Sequence, residues 1–256
     1  MTRTWKNYRV LVLSDAHAGG GGEADDFRQH SKLFETLLRK ALDSRVCLVF
    51  PGDIIELWQF RIDEILRQYG AIFRMAGRLA EEGRLHFCHG NHDEEAAAIA
   101  ELLGLGWTSA AVVVETGPGR WWIEHGHRYD PHNRQPSWAH RLLLAGAKVL
   151  EKINPNADVL DRYKPASARK AAPIETDPLA VNAQRLLTLG SLSGVVMGHT
   201  HRGGIWEVHT PRGPRPYGNC GAWTESCTPG CIVLEGGDMR YVEIHPKAPP
   251  WGALFG

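Results

Sequence analysis

The sequence predicts an α/β fold in which two sheets pack together and a helical insertion interrupts the second half. Three observations carry this. In the first hundred residues, short apolar runs alternate with longer stretches of helical period, the order of parallel βαβ units. The second half holds six more short strand-like runs separated by turn residues, which implies a second, mixed or antiparallel sheet packed on the first. Within that half, residues 129–189 contain a polar, proline-marked stretch, read as a cap or lid inserted into a single domain spanning residues 1–256.

Residues 8–14 (YRVLVLS) read as the first strand, which empties into Asp15-Ala16-His17. The glycine run at residues 19–22 must then be an irregular, flexible loop at the rim of a site, since it lacks the GxxxxGK[ST] spacing of a phosphate-binding loop. Phe27, Phe34, Leu37, Leu38, Ala41 and Leu42 recur at helical spacing. Residues 47–50 form the next strand, broken by Pro51-Gly52 and delivering Asp53. A second helix covers residues 62–80, marked by Ile62, Ile65, Leu66, Tyr69, Ile72, Phe73, Ala76 and Leu79. A third strand at residues 85–88 ends at His89-Gly90-Asn91-His92-Asp93, and alanine-rich residues 94–103 read as a short helix. In parallel sheets ligands bind beyond the carboxyl ends of the strands, where Asp15, Asp53 and Asn91 all fall.

The later strands are expected at residues 111–115, 121–124, 195–197, 205–210, 231–235 and 241–244. In the insertion, Trp138, Leu142, Ala145, Val149 and Leu150 keep helical spacing, and a final helix covers residues 179–189. Arg162, Lys164, Arg169 and Lys170 between them read as a solvated loop, with contact to a phosphorylated substrate as the functional alternative.

Composition narrows the function classes. Lys+Arg and Asp+Glu are equal at 29 each, so no overall positive field favours nucleic acid or an acidic membrane. No window approaches the roughly 20 apolar residues of a membrane span, and residues 1–9 lack a signal-peptide core. The expectation is a cytoplasmic protein, with peripheral contact to the inner face of a membrane left open. Five cysteines are few and odd in number for 256 residues, which suits reduced thiols. Cys227 and Cys231 have a CxxxC spacing but no second pair to complete a structural zinc site. Oligomeric state is not readable from the sequence.

Five segments offer ligands in order: Asp15-x-His17, Gly52-Asp53, Gly90-Asn91-His92-Asp93, His125-Gly126-His127 and Gly198-His199-Thr200-His201. Oxygen and imidazole donors without thiolate suit manganese first, with iron, zinc or cobalt as alternatives. The set is too large for one ion. Two divalent metal ions ~3.5–4 Å apart, sharing a carboxylate, would acidify a water, orient it for in-line attack and neutralise phosphate charge. The reaction class that follows is hydrolysis of a phosphoester or phosphoanhydride.

D-x-H, GD, GNH[DE], H and GHxH in this order resemble the motif set of the calcineurin-like metallophosphoesterases, over nearly the whole chain. The resemblance implies a four-layer αββα sandwich. It implies Asp15, His17 and His201 on one metal, Asn91, His125 and His199 on the second, and Asp53 between them. His92 matches the family's non-ligand histidine, a general acid for the leaving oxygen, and Glu56 matches an acid that orients it. His125 rather than His127 matches the ligand of the H-G-x unit. Asp93 is left out of the catalytic set, and His86, His89, His132 and His140 match no motif position. With every position filled, a non-catalytic scaffold of the same fold is disfavoured.

Gly52-Asp53-Ile54-Ile55-Glu56-Leu57-Trp58 and GHTHR, with a helical insertion before GHTH, look like the branch containing UDP-2,3-diacylglucosamine pyrophosphatases. That branch implies a nucleotide-linked lipid substrate, with Trp138, Leu142 and Leu143 lining an acyl groove. It typically carries GN-R-D where this chain has Gly90-Asn91-His92-Asp93. The departure keeps open the alternative of a phosphodiesterase or phosphomonoesterase on soluble nucleotides or nucleic acid ends.

Overall fold

A computed structural model describes residues 1–94, 108–133 and 173–256. The first sheet contains β2 (Arg9–Val12), β3 (Val46–Pro51), β4 (Leu85–Cys88) and the short β5 (Thr108–Ser109), all parallel. Helices α1 (Ser31–Leu42) and α2 (Ile62–Glu81) make the crossovers after β2 and β3. The expected boundaries hold to within a few residues, because apolar period and Gly/Pro breaks mark both element type and limits here.

The second sheet contains β1 (Thr2–Thr4), β6 (Ala111–Thr116), β7 (Gly119–Glu124), β8 (Gly194–Met197), β9 (Gly204–Thr210) and β10 (Gly213–Asn219), in the order β1-β6-β7-β8-β10-β9. It mixes parallel and antiparallel pairs. Helix α3 (Pro178–Leu189) covers its outer face, capped by Asp177, whose carboxylate accepts from the N–H groups of Leu179 and Ala180. A final short helix, α4 (Trp251–Phe255), packs on the helix side of the first sheet.

Three apolar cores separate the layers. Along β2 and the residue that follows it, Leu11 and Leu13 pack on the helix side, while Val10 and Val12 pack between the sheets. β3 repeats the alternation, with Leu48 and Phe50 on the helix side and Cys47 and Val49 between the sheets. From the opposite side Val112, Val114, Trp121, Ile123 and Val196 complete the inter-sheet core. Leu179, Ala183 and Leu187 of α3 meet Val195, Met197 and Tyr217 in the third core. The result is an αββα sandwich of two mixed sheets.

Two expectations change. β11 (Gly230–Glu235) and β12 (Asp238–Glu243) join the first sheet, not the second: β11 lies antiparallel to β2 and β12 extends that edge. Cys231 and Val233 are buried against the helices and Ile232 and Leu234 between the sheets, so this strand needs cover on both faces. The glycine run at residues 19–22 is organised by Asp25, whose buried carboxylate accepts from the N–H groups of Gly19, Gly21 and Phe27 and from the Tyr69 hydroxyl. The helix expected at residues 94–103, most of the insertion with Trp138, Leu142, Leu143 and its four basic residues, and His140 lie outside the described residues.

Candidate metal centre

The predicted ligands converge beyond the carboxyl ends of β2, β3, β4, β7 and β8. The loops after β2 and β3 stay paired past the sheet: Asp15 N–H donates to Gly52 O at 3.2 Å and His17 N–H to Asp53 O at 2.9 Å. Gly198 N–H donates to His125 O at 3.1 Å, joining the loops after β7 and β8. Two motif glycines are set by close approach. A Cβ at Gly90 would collide with the Asp53 carboxylate, and one at Gly198 with Ser14 Oγ and Asp15 Oδ2.

Backbone conformation marks the same residues. Asp15, His17, Asp53, His199 and His201 have φ of 56°, 50°, 52°, 68° and 58°, and are the only non-glycine residues with positive φ among the described residues. This left-handed region disfavours side chains, so each is held there against its local preference. Strain of this kind clusters at functional sites.

Three groups of side chains among the described residues have ligand atoms within 4.8 Å of one another, and two of them consist of predicted ligands: Asp15, His17 and His201 form the first, Asp53, His125 and His199 the second, while the third joins His17 to Glu56 and His92. In the first, His201 Nε2 lies 3.3 Å from Asp15 Oδ1. His17 Nε2 is buried without a hydrogen-bond partner, 3.9 Å from both Asp15 Oδ1 and Asp53 Oδ2. An unpartnered imidazole nitrogen facing two carboxylates fits a divalent cation. In the second group, His125 Nε2 lies 3.0 Å from Asp53 Oδ2 and 3.1 Å from Asn91 Oδ1. The Asp53 carboxylate therefore faces both groups. His127 stands beside His125, ring centroids 5.3 Å apart, in neither group.

The electrostatics agree with a cation-binding cradle. Burial would raise the Asp15 carboxyl, but the hydrogen bond and charge of His201 outweigh it and hold it at about 2. Burial also opposes ionisation of Asp53, yet His125, His92 and His17 carry it well below the ordinary carboxylate range. Both acids stay ionised and ready for positive charge.

Glu56 and His92 lie at the edge of the first group. One oxygen of the buried Glu56 accepts from His17 Nδ1 at 2.9 Å and is 2.7 Å from His92 Nδ1. Burial works against the charged His92 ring, but the charges of Glu56 and Asp53 outweigh it and raise its pKa. Glu56, expected to serve His92 alone, is thus shared with His17.

Several contributors escaped sequence reading. Asp93 ties two site loops, its carboxylate accepting from Ile54 N–H at 2.8 Å and Gly90 N–H at 2.6 Å. Asn219 on β10 donates to Gly198 O at 2.6 Å and so braces the GHTH loop. Asp130 lies 3.0 Å from His199 Nε2. Asp93 fills the last place of GNH[DE], whereas Asp130 and Asn219 have no motif signal and act through contacts distant in sequence. The unmatched histidine His86 is packed between Arg3 and Ser109. All five cysteines are free, and no candidate cation group among the described residues includes one.

A two-sheet α/β sandwich with paired cation-holding groups beyond its strand ends defines a metal-binding hydrolase of phosphate esters. The chain belongs to the calcineurin-like phosphoesterase family, whose pattern residues 8–203 match. It is similar to the UDP-2,3-diacylglucosamine hydrolases of Bordetella pertussis and Bordetella parapertussis, each 27% identical over 211 residues, covering 75% of this chain and 77% of theirs. Among solved structures it resembles an archaeal phosphodiesterase (16% identity, TM-score 0.47, 92% of this chain and 99% of that one). A dimetal phosphatase from Danio rerio is similar at 14% identity and TM-score 0.48, over 92% of this chain and 98% of that one. No helix among the described residues is long and apolar enough to cross a membrane.

Proposed function

We propose that this phosphoester hydrolase uses two divalent ions, one held by Asp15, His17 and His201, the other by Asn91, His125 and His199, with Asp53 shared. The observation that carries this reading is the Asp53 carboxylate facing both groups, 3.0 Å from His125 Nε2 and 3.9 Å from His17 Nε2. When bound, such ions supply an acidified water and positive charge for the phosphoryl oxygens. Manganese is the metal we favour, with iron, zinc and cobalt as alternatives, because a nitrogen and oxygen donor set accepts all of them.

The chain's own groups do the rest. Glu56 holds His17 and His92 at their Nδ1 atoms, leaving each ring's Nε2 free for its task. His92, with a raised pKa, gives its Nε2 proton to the leaving oxygen as the P–O bond breaks.

For substrate we infer a nucleotide-linked acylated sugar cleaved at its pyrophosphate, at a membrane surface reached by peripheral contact from the cytoplasm. The relatives' name, UDP-2,3-diacylglucosamine hydrolase, supports the substrate part of this reading. A second reading, a phosphodiesterase or phosphomonoesterase on soluble nucleotides, is favoured by His92 standing where the pyrophosphatase branch typically has arginine. A turnover panel with added manganese separates them. UDP-2,3-diacylglucosamine should give the highest kcat/KM. A higher value for cyclic nucleotides or aryl phosphates would replace the lipid substrate, and no turnover of any would point to a scaffold.

A further inference from the structure

We propose that Trp58 is a positioning residue for proton delivery, its indole fixing the plane in which the His92 imidazole meets the leaving oxygen. This rests on the reading of His92 as the general acid. The two rings lie face to face, centroids 3.8 Å apart and planes 25° apart. Glu56 touches His92 at one point, Nδ1, and a ring held at one point can still swing about it. A flat partner over the ring face removes that freedom.

The grip comes from one three-residue segment. Leu57 N–H donates to the His92 carbonyl at 3.2 Å, Glu56 Oε2 is 2.7 Å from His92 Nδ1, and the Trp58 indole covers the face. Trp58 N–H also donates to Glu56 Oε1 at 3.2 Å, so the residue that stacks on the ring also steadies the carboxylate. His17 meets the same ring at 88°, centroids 4.6 Å apart, limiting tilt from another direction.

In the step served, protonated His92 gives its Nε2 proton to the leaving oxygen, which keeps the electron pair of the broken P–O bond. The ring becomes neutral and regains a proton from water. A poor leaving group needs that proton, whereas p-nitrophenolate departs without it. Misplacing a catalytic group by about 1 Å costs up to ~10²-fold.

The test compares phosphate esters of ethanol and p-nitrophenol in Trp58→Leu, Trp58→Phe and His92→Ala, with metal content measured for each. Trp58→Leu should lower kcat on the ethyl ester by about 10–10²-fold, spare the p-nitrophenyl ester, and leave KM and metal content unchanged. Trp58→Phe, still flat, should recover most of the loss. In the metal-free protein, the His92 Cε1–H proton resonance, assigned by its loss in His92→Ala, should be shifted upfield by the indole and relax in Trp58→Leu. Equal losses on both esters, no rescue by Phe, or an unshifted resonance in the unaltered protein would overturn the proposal. If His92→Ala itself shows no leaving-group dependence, the general-acid reading fails. If only Trp58→Leu lacks it, the positioning role alone fails.

Discussion

The two ligand groups both border Asp53 but differ in what stands behind their histidines. In the first, His17 Nδ1 rests on the buried carboxylate of Glu56, the same oxygen that lies beside His92. In the second, His125 Nδ1 donates to the Pro51 main-chain carbonyl at 3.0 Å, and His199 Nε2 meets Asp130 at 3.0 Å. A carboxylate behind an imidazole raises its basicity more than a neutral carbonyl does, and either fixes its orientation. The first group is therefore joined through Glu56 to His92. The second is wired, through Asp130, to the segment from which the insertion departs. His199 Nε2 meets Asp130 and His125 Nε2 meets Asp53 and Asn91, whereas His17 Nε2 is buried without a hydrogen-bond partner.

This asymmetry can be broken in steps of decreasing size. Asp53→Ala removes the one group common to both halves and should abolish turnover together with both metals, measured by elemental analysis; retention of two metals would take Asp53 out of the shared position. His92→Ala touches only the donor side and should slow turnover by roughly 10²–10⁴-fold with metals retained. A rate close to that of the unaltered enzyme on every leaving group would exclude it as the acid. Asp130→Asn should act on the second group alone, weakening one ion about 10–100-fold in calorimetric titration. Equal weakening of both ions would mean that the halves are not separately supported.

The smallest effect concerns a histidine outside both groups. Burial, then the charge of Arg3, lowers the His86 pKa to about 4. An unfolded histidine takes its proton near 6.5, so the unfolded chain binds more protons between that value and about 4, and stability must fall as pH drops through this window. The loss is at most about 3 kcal/mol, and His86→Gln should flatten that part of the unfolding profile. An unchanged slope would show that His86 is not the titrating group.

Legibility in the sequence followed the chemistry. Asp15, His17, Asp53, Asn91, His125, His199 and His201 stand out because few residue types bind cations and each ends an apolar run. β2, β3 and β4 were readable because their apolar runs end at turn residues. β10, GPRPYGN, was not, since two prolines and two glycines argue against a strand. It forms because its parallel pairing to β8 is confined to Tyr217–Asn219, beyond the prolines. The sheet to which β11 belongs was hidden for another reason: periodicity reports that both its faces need cover, not which neighbour supplies it. Asp130 and Asn219 reach the site only through partners brought near by folding, which local spelling does not encode.

The unusual backbone at Asp15, His17, Asp53, His199 and His201 sets a limit on improving this protein. Glycine would rest more easily at all five positions, and a search that rewarded heat resistance alone would drift toward it, erasing donors as it went. The sturdiest version of this chain and the working one are therefore different molecules.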